Sequence, residues 1–120
     1  MKTSKYHNRK VKTSDGIVHD SRKEADRWQY LKLLESAGKI MELKRQMEFL
    51  LIPAQYEQIM VGKKKKKKVV ERACVYRADF VYHNEKGELI VEDVKGLRTR
   101  DYIIKRKMML YVYGIKIKEI

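Results

Sequence analysis

The sequence predicts an α/β domain whose elements run helix, three strands, helix, strand. Three observations predict it. Apolar residues recur at helical spacing in two separate segments. Two strand-like runs flank a turn signal at Asn84-Glu85-Lys86-Gly87. A hydrophobic content of 43% over 120 residues suits one ordinary core and argues against a disordered chain.

Taken in order, residues 1–20 are polar and basic with a turn signal at Asp15-Gly16, and read as an arm or short hairpin ahead of a single domain over 21–120. Ser21 followed by Glu24 has the spacing of a helix-starting capping box. Ala25, Trp28, Leu31 and Leu34 then repeat at helical intervals until Gly38, which places a helix over about 21–37. Gln46 to Ile52 reads as a strand ended by Pro53. After Gly62 come Lys63, Lys64, Lys65, Lys66, Lys67 and Lys68, which predict a solvated loop over 62–69, because adjacent ammonium groups cannot all be buried. Strands over about 73–83 and 88–95 flank the Asn84 turn. Thr99 caps a second helix over about 100–113, with Ile103, Met109, Leu110 and Val112 available for packing. Gly114 ends it, and Ile115 to Lys118 alternate as a last short strand.

Charge narrows the partners. Lys and Arg number 29 against 16 Asp and Glu, a formal charge of +13, with pI near 9.8. Such a balance points to a polyanion: nucleic acid or an anionic membrane surface. The lysine run has no amphipathic apolar face beside it, so DNA is expected and a membrane partner is not. The single cysteine, Cys74, excludes an intramolecular disulfide framework and a thiolate zinc cluster. No apolar stretch is long enough to span a bilayer, and the N-terminus lacks a signal-peptide core, so the expectation is a soluble cytoplasmic protein.

The chemistry concentrates on the second and third strands. Arg77, Asp79 and Val81 share one face of the former; Val91, Asp93 and Lys95 share one face of the latter. Asp79 lies five residues before Asn84 and Asp93 six after Gly87, so a hairpin sets the two carboxylates nearly opposite each other. Opposed acids repel unless a cation separates them, and a hard divalent ion, Mg²⁺ or Mn²⁺, suits oxygen-only ligation. Lys95 stands on the same face, within reach of a bound phosphate, and Gly96 permits close backbone approach. Glu24 lies within the packing stripe of the first helix, between Trp28 and Leu31, and so looks toward the sheet; it equally fits as the closing half of a capping box with Ser21.

Asp79, then Asp93-Val94-Lys95, with helical Glu24 ahead of them, resembles the PD-(D/E)XK nuclease signature. The nearer resemblance is to small, mostly phage-encoded proteins of that superfamily, similar to Holliday junction resolvase-like nucleases. It rests on Asp20-Ser21-Arg22-Lys23-Glu24-Ala25, Tyr76-Arg77-Ala78-Asp79-Phe80 and Val91-Glu92-Asp93-Val94-Lys95-Gly96. The motif's proline is absent, Ala78 standing before Asp79. The resemblance implies a restriction-endonuclease-like core, a mixed four-stranded sheet flanked by helices in the order α-β-β-β-α-β. It implies a metal held by Asp79, Asp93 and the Val94 carbonyl, with Glu24 a further ligand, directly or through water. Lys95 would orient the attacking water and stabilise charge on the phosphorane. The activity implied is Mg²⁺-dependent DNA cleavage in phage replication or recombination, within the host cytoplasm, on branched or linear DNA. A homodimer would present two sites to two strands. The alternative is a non-catalytic DNA-binding accessory protein of the same fold.

Other residues carry plainer expectations. Glu92 reads as a surface or dimer-interface charge, and Trp28, Tyr30 and Tyr111 as core. His7, His19 and His83 share no metal-ligand spacing and receive no site role. Cys74 reads as a buried small hydrophobe. Lys63 to Lys68 are expected to touch phosphates without reading sequence, and Lys105 and Lys107 to approach the site or the DNA backbone.

Overall fold

The computed structural model of the chain describes residues 9–95 and 97–120, so Gly96, His7 and the first part of the expected arm lie outside it. The chain begins with a short antiparallel hairpin of β1 (Val11–Lys12) and β2 (Val18–His19). Asp15 organises its turn, accepting from the Ile17 N–H at 3.0 Å and from the Thr13 hydroxyl. Helix α1 (Arg22–Ser36) starts because the Ser21 hydroxyl accepts the Glu24 N–H at 3.1 Å. It buries Glu24, Ala25, Trp28 and Leu31, one face of successive turns.

A four-stranded mixed sheet follows, in spatial order β3 (Met41–Ile52), β6 (Cys74–His83), β7 (Leu89–Asp93), β8 (Lys118–Glu119). Strands β6 and β7 are antiparallel with Phe80 opposite Glu92, and β7 and β8 are parallel. Between β3 and β6 the chain makes a separate two-stranded ribbon of β4 (Gln55–Val61) and β5 (Lys64–Glu71). Helix α2 (Arg100–Tyr113) lies between β7 and β8 in sequence, capped by the Thr99 hydroxyl and ended by Gly114 in the left-handed region at φ 68°. That conformation costs an L side chain but not glycine, and it satisfies the Leu110 carbonyl.

The described residues form two compact units. The first comprises 9–47, 78–95 and 117–120; the second, 48–77 and 97–116. The first unit is cored by Trp28, Leu31, Ile40, Phe80 and Tyr82, with Ile17, Leu34, Leu43, Ile90 and Val94 packed against them. Trp28 stacks on Phe80 at 5.9 Å between ring centroids, and each such buried side chain contributes roughly 1.5–3 kcal/mol. The second unit has an aromatic core in which Phe49 meets Tyr76 and Tyr113, and Tyr76 meets Tyr102. Met109 of α2 is fully buried, whereas Leu110 and Val112 are exposed, against expectation.

Several sequence expectations are corrected. Lys64 to Lys68 lie in strand β5 and not in a loop, with Lys63 in the turn before it; both faces of the ribbon meet water, so strand geometry buries no ammonium group. Residues 55–61, unassigned from the sequence, pair with it. Strand β3 starts at Met41 and not Gln46, and Glu42 and Gln46 within it take positive φ. The last strand is Lys118–Glu119 and not 115–118. Tyr111, 91% exposed, and Tyr30 are surface residues and not core. Cys74 is only half-buried.

Glu92 is neither surface nor interface. Its register opposite Phe80 turns it under α1, where it is fully buried (0% exposed). There Arg27 donates to both its oxygens, at 2.8 and 2.7 Å, and the Tyr82 hydroxyl donates as well. Burial, and then the bond to Glu92, push the Tyr82 hydroxyl up, so it remains a donor.

Candidate active site

The site is assembled at one end of the β6–β7 hairpin. Continuing the register one step beyond Phe80 and Glu92 sets Asp79 across from Asp93. Asp93 is buried and Asp79 half-buried. Asp79 Oδ2 accepts the Val94 N–H at 2.7 Å, while the Asp93 carbonyl accepts the Ile120 N–H at 2.9 Å. The end of β7 is therefore held from both neighbours, by a side chain of β6 and by the residue after β8. Lys95 Nζ lies 2.9 Å from Asp93 Oδ1, so the two-residue spacing does place lysine and acid on one face.

Electrostatics mark the pair as strained. Burial pushes the Asp79 carboxyl up to about 8, and the charges of Asp93 and Glu24 add to it, against the Val94 hydrogen bond. Two carboxylates so close cannot both ionise cheaply without a counter-cation. Burial likewise raises Glu24, with Asp20 and Asp93 contributing and Arg45 opposing. Glu24, on the first turn of α1, thus shares its field with both aspartates.

Around Glu24 stand residues that sequence reasoning missed. Gln46 Nε2 donates to Glu24 Oε1 at 3.5 Å, from a backbone at φ 56°. A left-handed glutamine costs about 1–2 kcal/mol, and strain of this kind gathers at functional sites. His19 is fully buried (0% exposed); its Nε2 faces the Thr13 hydroxyl at 3.3 Å. Its Nδ1 has no hydrogen-bond partner and stands 3.8 Å from Glu24 Oε1. Burial, then the Arg45 charge, hold His19 below its ordinary range and so neutral. No motif spacing announces these residues. His19 is positioned by its pairing with Val11, and Gln46 by a local backbone reversal.

The donor set suits a hard divalent cation in one form. Among the described residues no cluster of three His, Cys, Asp or Glu side chains is preassembled to hold a metal. Two oxygen-bearing acids in mutual repulsion do fit Mg²⁺ or Mn²⁺, which commonly keep several waters and take one or two carboxylates. The remaining predicted DNA contacts belong to the second unit: Lys63 to Lys68 in the ribbon and its turn, Lys105 and Lys107 on α2. A cleft of about 420 Å³ lies away from the acids, lined by Thr13, Asp15, Gln29, Lys32 and Leu33. No helix among the described residues is long and apolar enough to cross a membrane.

Neither a curated protein nor a solved structure matches the chain. One family model does, over residues 3–119, nearly the whole sequence, and it carries the description "Protein of unknown function (DUF1064)". The chain belongs to the DUF1064 family.

Proposed function

We propose that the protein is a Mg²⁺-dependent DNA endonuclease with a restriction-endonuclease-like core of the PD-(D/E)XK type, acting in phage replication or recombination on branched or linear DNA. The observation that carries this reading is the Asp79–Asp93 pair at one level of a hairpin, with the Lys95 ammonium 2.9 Å from Asp93 Oδ1. A protein that only binds DNA gains nothing from buried acids beside its phosphate-facing cation. The +13 charge supports a polyanionic substrate.

Asp79, Asp93 and the Val94 carbonyl would hold the cation, with Glu24 a further ligand directly or through water. Bound there, the ion would supply Lewis-acid polarisation of the scissile phosphate and a lowered pKa for a nearby water. Lys95, whose ammonium lies 2.9 Å from Asp93 Oδ1, would orient the attacking water and offset charge on the phosphorane oxygens. Water oxygen would attack phosphorus in line as the P–O3′ bond breaks, the water giving up one proton and the departing O3′ taking one up from solvent, so that 5′-phosphate and 3′-hydroxyl ends result. Gln46, donating to Glu24 Oε1 through its amide, orients Glu24 without adding charge.

The test is cleavage of a panel of end-labelled junction, flap, duplex and single-stranded DNAs in Mg²⁺, Mn²⁺ or EDTA. Metal-dependent cleavage of at least one substrate is expected, with none in EDTA. Binding without cleavage in either metal would overturn the nuclease reading.

A further inference from the structure

The β4–β5 ribbon is a two-stranded sheet of its own, rich in lysine. Every residue of β5 is exposed, and in β4 only Ile59 is half-buried. Gly62 and Lys63 turn the chain, with Gly62 at φ +63°, as tight hairpin turns require. Opposed residues share a face, so the register sorts the lysines. Lys64, Lys66 and Lys68 stand with Val61, Ile59 and Glu57 on one face; Lys65 and Lys67 stand with Met60 and Gln58 on the other. Lys67 lies over the Tyr56 ring at 5.8 Å. Glu57 and Glu71 sit at the base, so the outer half carries cations and neutral residues only.

Two-stranded ribbons are marginal in water, and same-face lysines about 6.6 Å apart repel within a Debye length. A partner that neutralises both faces together removes that repulsion. A flat polyanionic surface reaches one face; a groove has two phosphate walls. The B-DNA major groove, about 12 Å wide, admits a two-stranded β-ribbon, whereas the A-form RNA major groove is too narrow. Exposed Met60 and Val61 at the outer end supply apolar contact for the groove floor.

We infer that the β4–β5 ribbon inserts into the major groove of duplex DNA, with Lys64, Lys66 and Lys68 facing one phosphate wall and Lys65 and Lys67 the other. The inference rests on DNA being the substrate, and its test needs no cleavage. Binding is measured in EDTA by fluorescence anisotropy against salt. The probes are plain duplex DNA, the same duplex with 5-glucosyloxymethyl groups on its cytosines to fill the major groove, and duplex RNA. Wild type is compared with Lys64/Lys66/Lys68→Ser and Lys65/Lys67→Ser.

Each variant should shallow the log–log salt slope, by up to about 2.7 and 1.8 units, at about 0.9 per phosphate contact. Wild type should bind the groove-filled duplex at least tenfold more weakly than plain duplex, and the RNA duplex more weakly as well. Equal affinity for filled and plain duplex would overturn the insertion, and this arm uses the unmodified protein. A slope change confined to one face would overturn it too, as would RNA bound as tightly as DNA. Failure of cleavage in Mg²⁺ leaves every one of these readouts intact, so the two readings fail separately.

Discussion

Val94 gives its backbone N–H to Asp79 Oδ2 at 2.7 Å, so one of the two candidate metal-holding acids is also the fastening between β6 and the end of β7. Chemistry and scaffold share an atom pair, and substitutions at Asp79 must be chosen to separate them.

Asparagine separates them, because it keeps an oxygen for Val94 while removing the charge. Asp79→Asn and Asp93→Asn should each reduce cleavage by at least about 10²-fold, the scale of losing one electrostatic element of a catalytic site. DNA binding in EDTA should hold or tighten, since neither substitution adds negative charge facing phosphate. Asp79→Ala should additionally cost about 1–3 kcal/mol in urea unfolding, by leaving the Val94 N–H unpaired. Substantial Mg²⁺-dependent cleavage by both asparagine variants would sink the site assignment.

Lys95→Ala should cut the cleavage rate by about 10²-fold while leaving metal binding at the aspartates in place. Calorimetric titration with Mn²⁺ checks the second half of that statement. Normal turnover beside normal metal binding would make Lys95 a bystander to Asp93.

Gln46 tests whether backbone strain serves the site. Both Gln46→Ala and Gln46→Gly remove the contact to Glu24, so both should lower activity by about 10- to 100-fold and raise the Mg²⁺ concentration needed. Only glycine relieves the left-handed backbone, so Gln46→Gly should melt no lower than Gln46→Ala. An unchanged Mg²⁺ requirement in both variants would remove Gln46 from the site.

The acid pair was legible because a hairpin obeys counting: Asn84 and Gly87 mark the turn, and period two does the rest. Both helices were legible from their caps at Ser21 and Thr99. The ribbon was not, because six lysines in a row carry no alternation and read as solvated chain. Glu92 was misread for a different reason. A lone glutamate in a strand looks like a surface charge until Arg27 and Tyr82 are seen to meet it. His19 and Gln46 depend on tertiary pairing and on a positive φ, which no local pattern encodes.

The Arg27–Glu92–Tyr82 cluster makes a stability prediction independent of function. Arg27→Met leaves Glu92 buried and half-partnered, and should cost about 3–5 kcal/mol in urea unfolding. Replacing all three together, as Arg27→Met with Tyr82→Phe and Glu92→Leu, removes every stranded polar group and should recover most of that loss. A triple variant no more stable than Arg27→Met alone would show the charges themselves to be stabilising.

The last prediction concerns acid. Asp15 closes the β1–β2 turn and reaches α1, where Trp28 Nε1 donates to its Oδ2 at 2.7 Å and Lys32 Nζ lies 3.2 Å away. The Thr13 hydroxyl, then Trp28 and the Ile17 N–H, hold its carboxyl well below the ordinary 3.8. A depressed carboxylate stabilises the fold above its unfolded pKa, and that contribution is lost as pH falls through the unfolded value toward the folded one. Wild type should therefore be more stable than Asp15→Asn near neutrality, with the gap closing from about pH 4 downward. Urea unfolding of both proteins at stepped pH measures it. A gap that stays constant through that range would mean that Asp15 acts by shape alone, and that its charge contributes nothing to joining the hairpin to the helix.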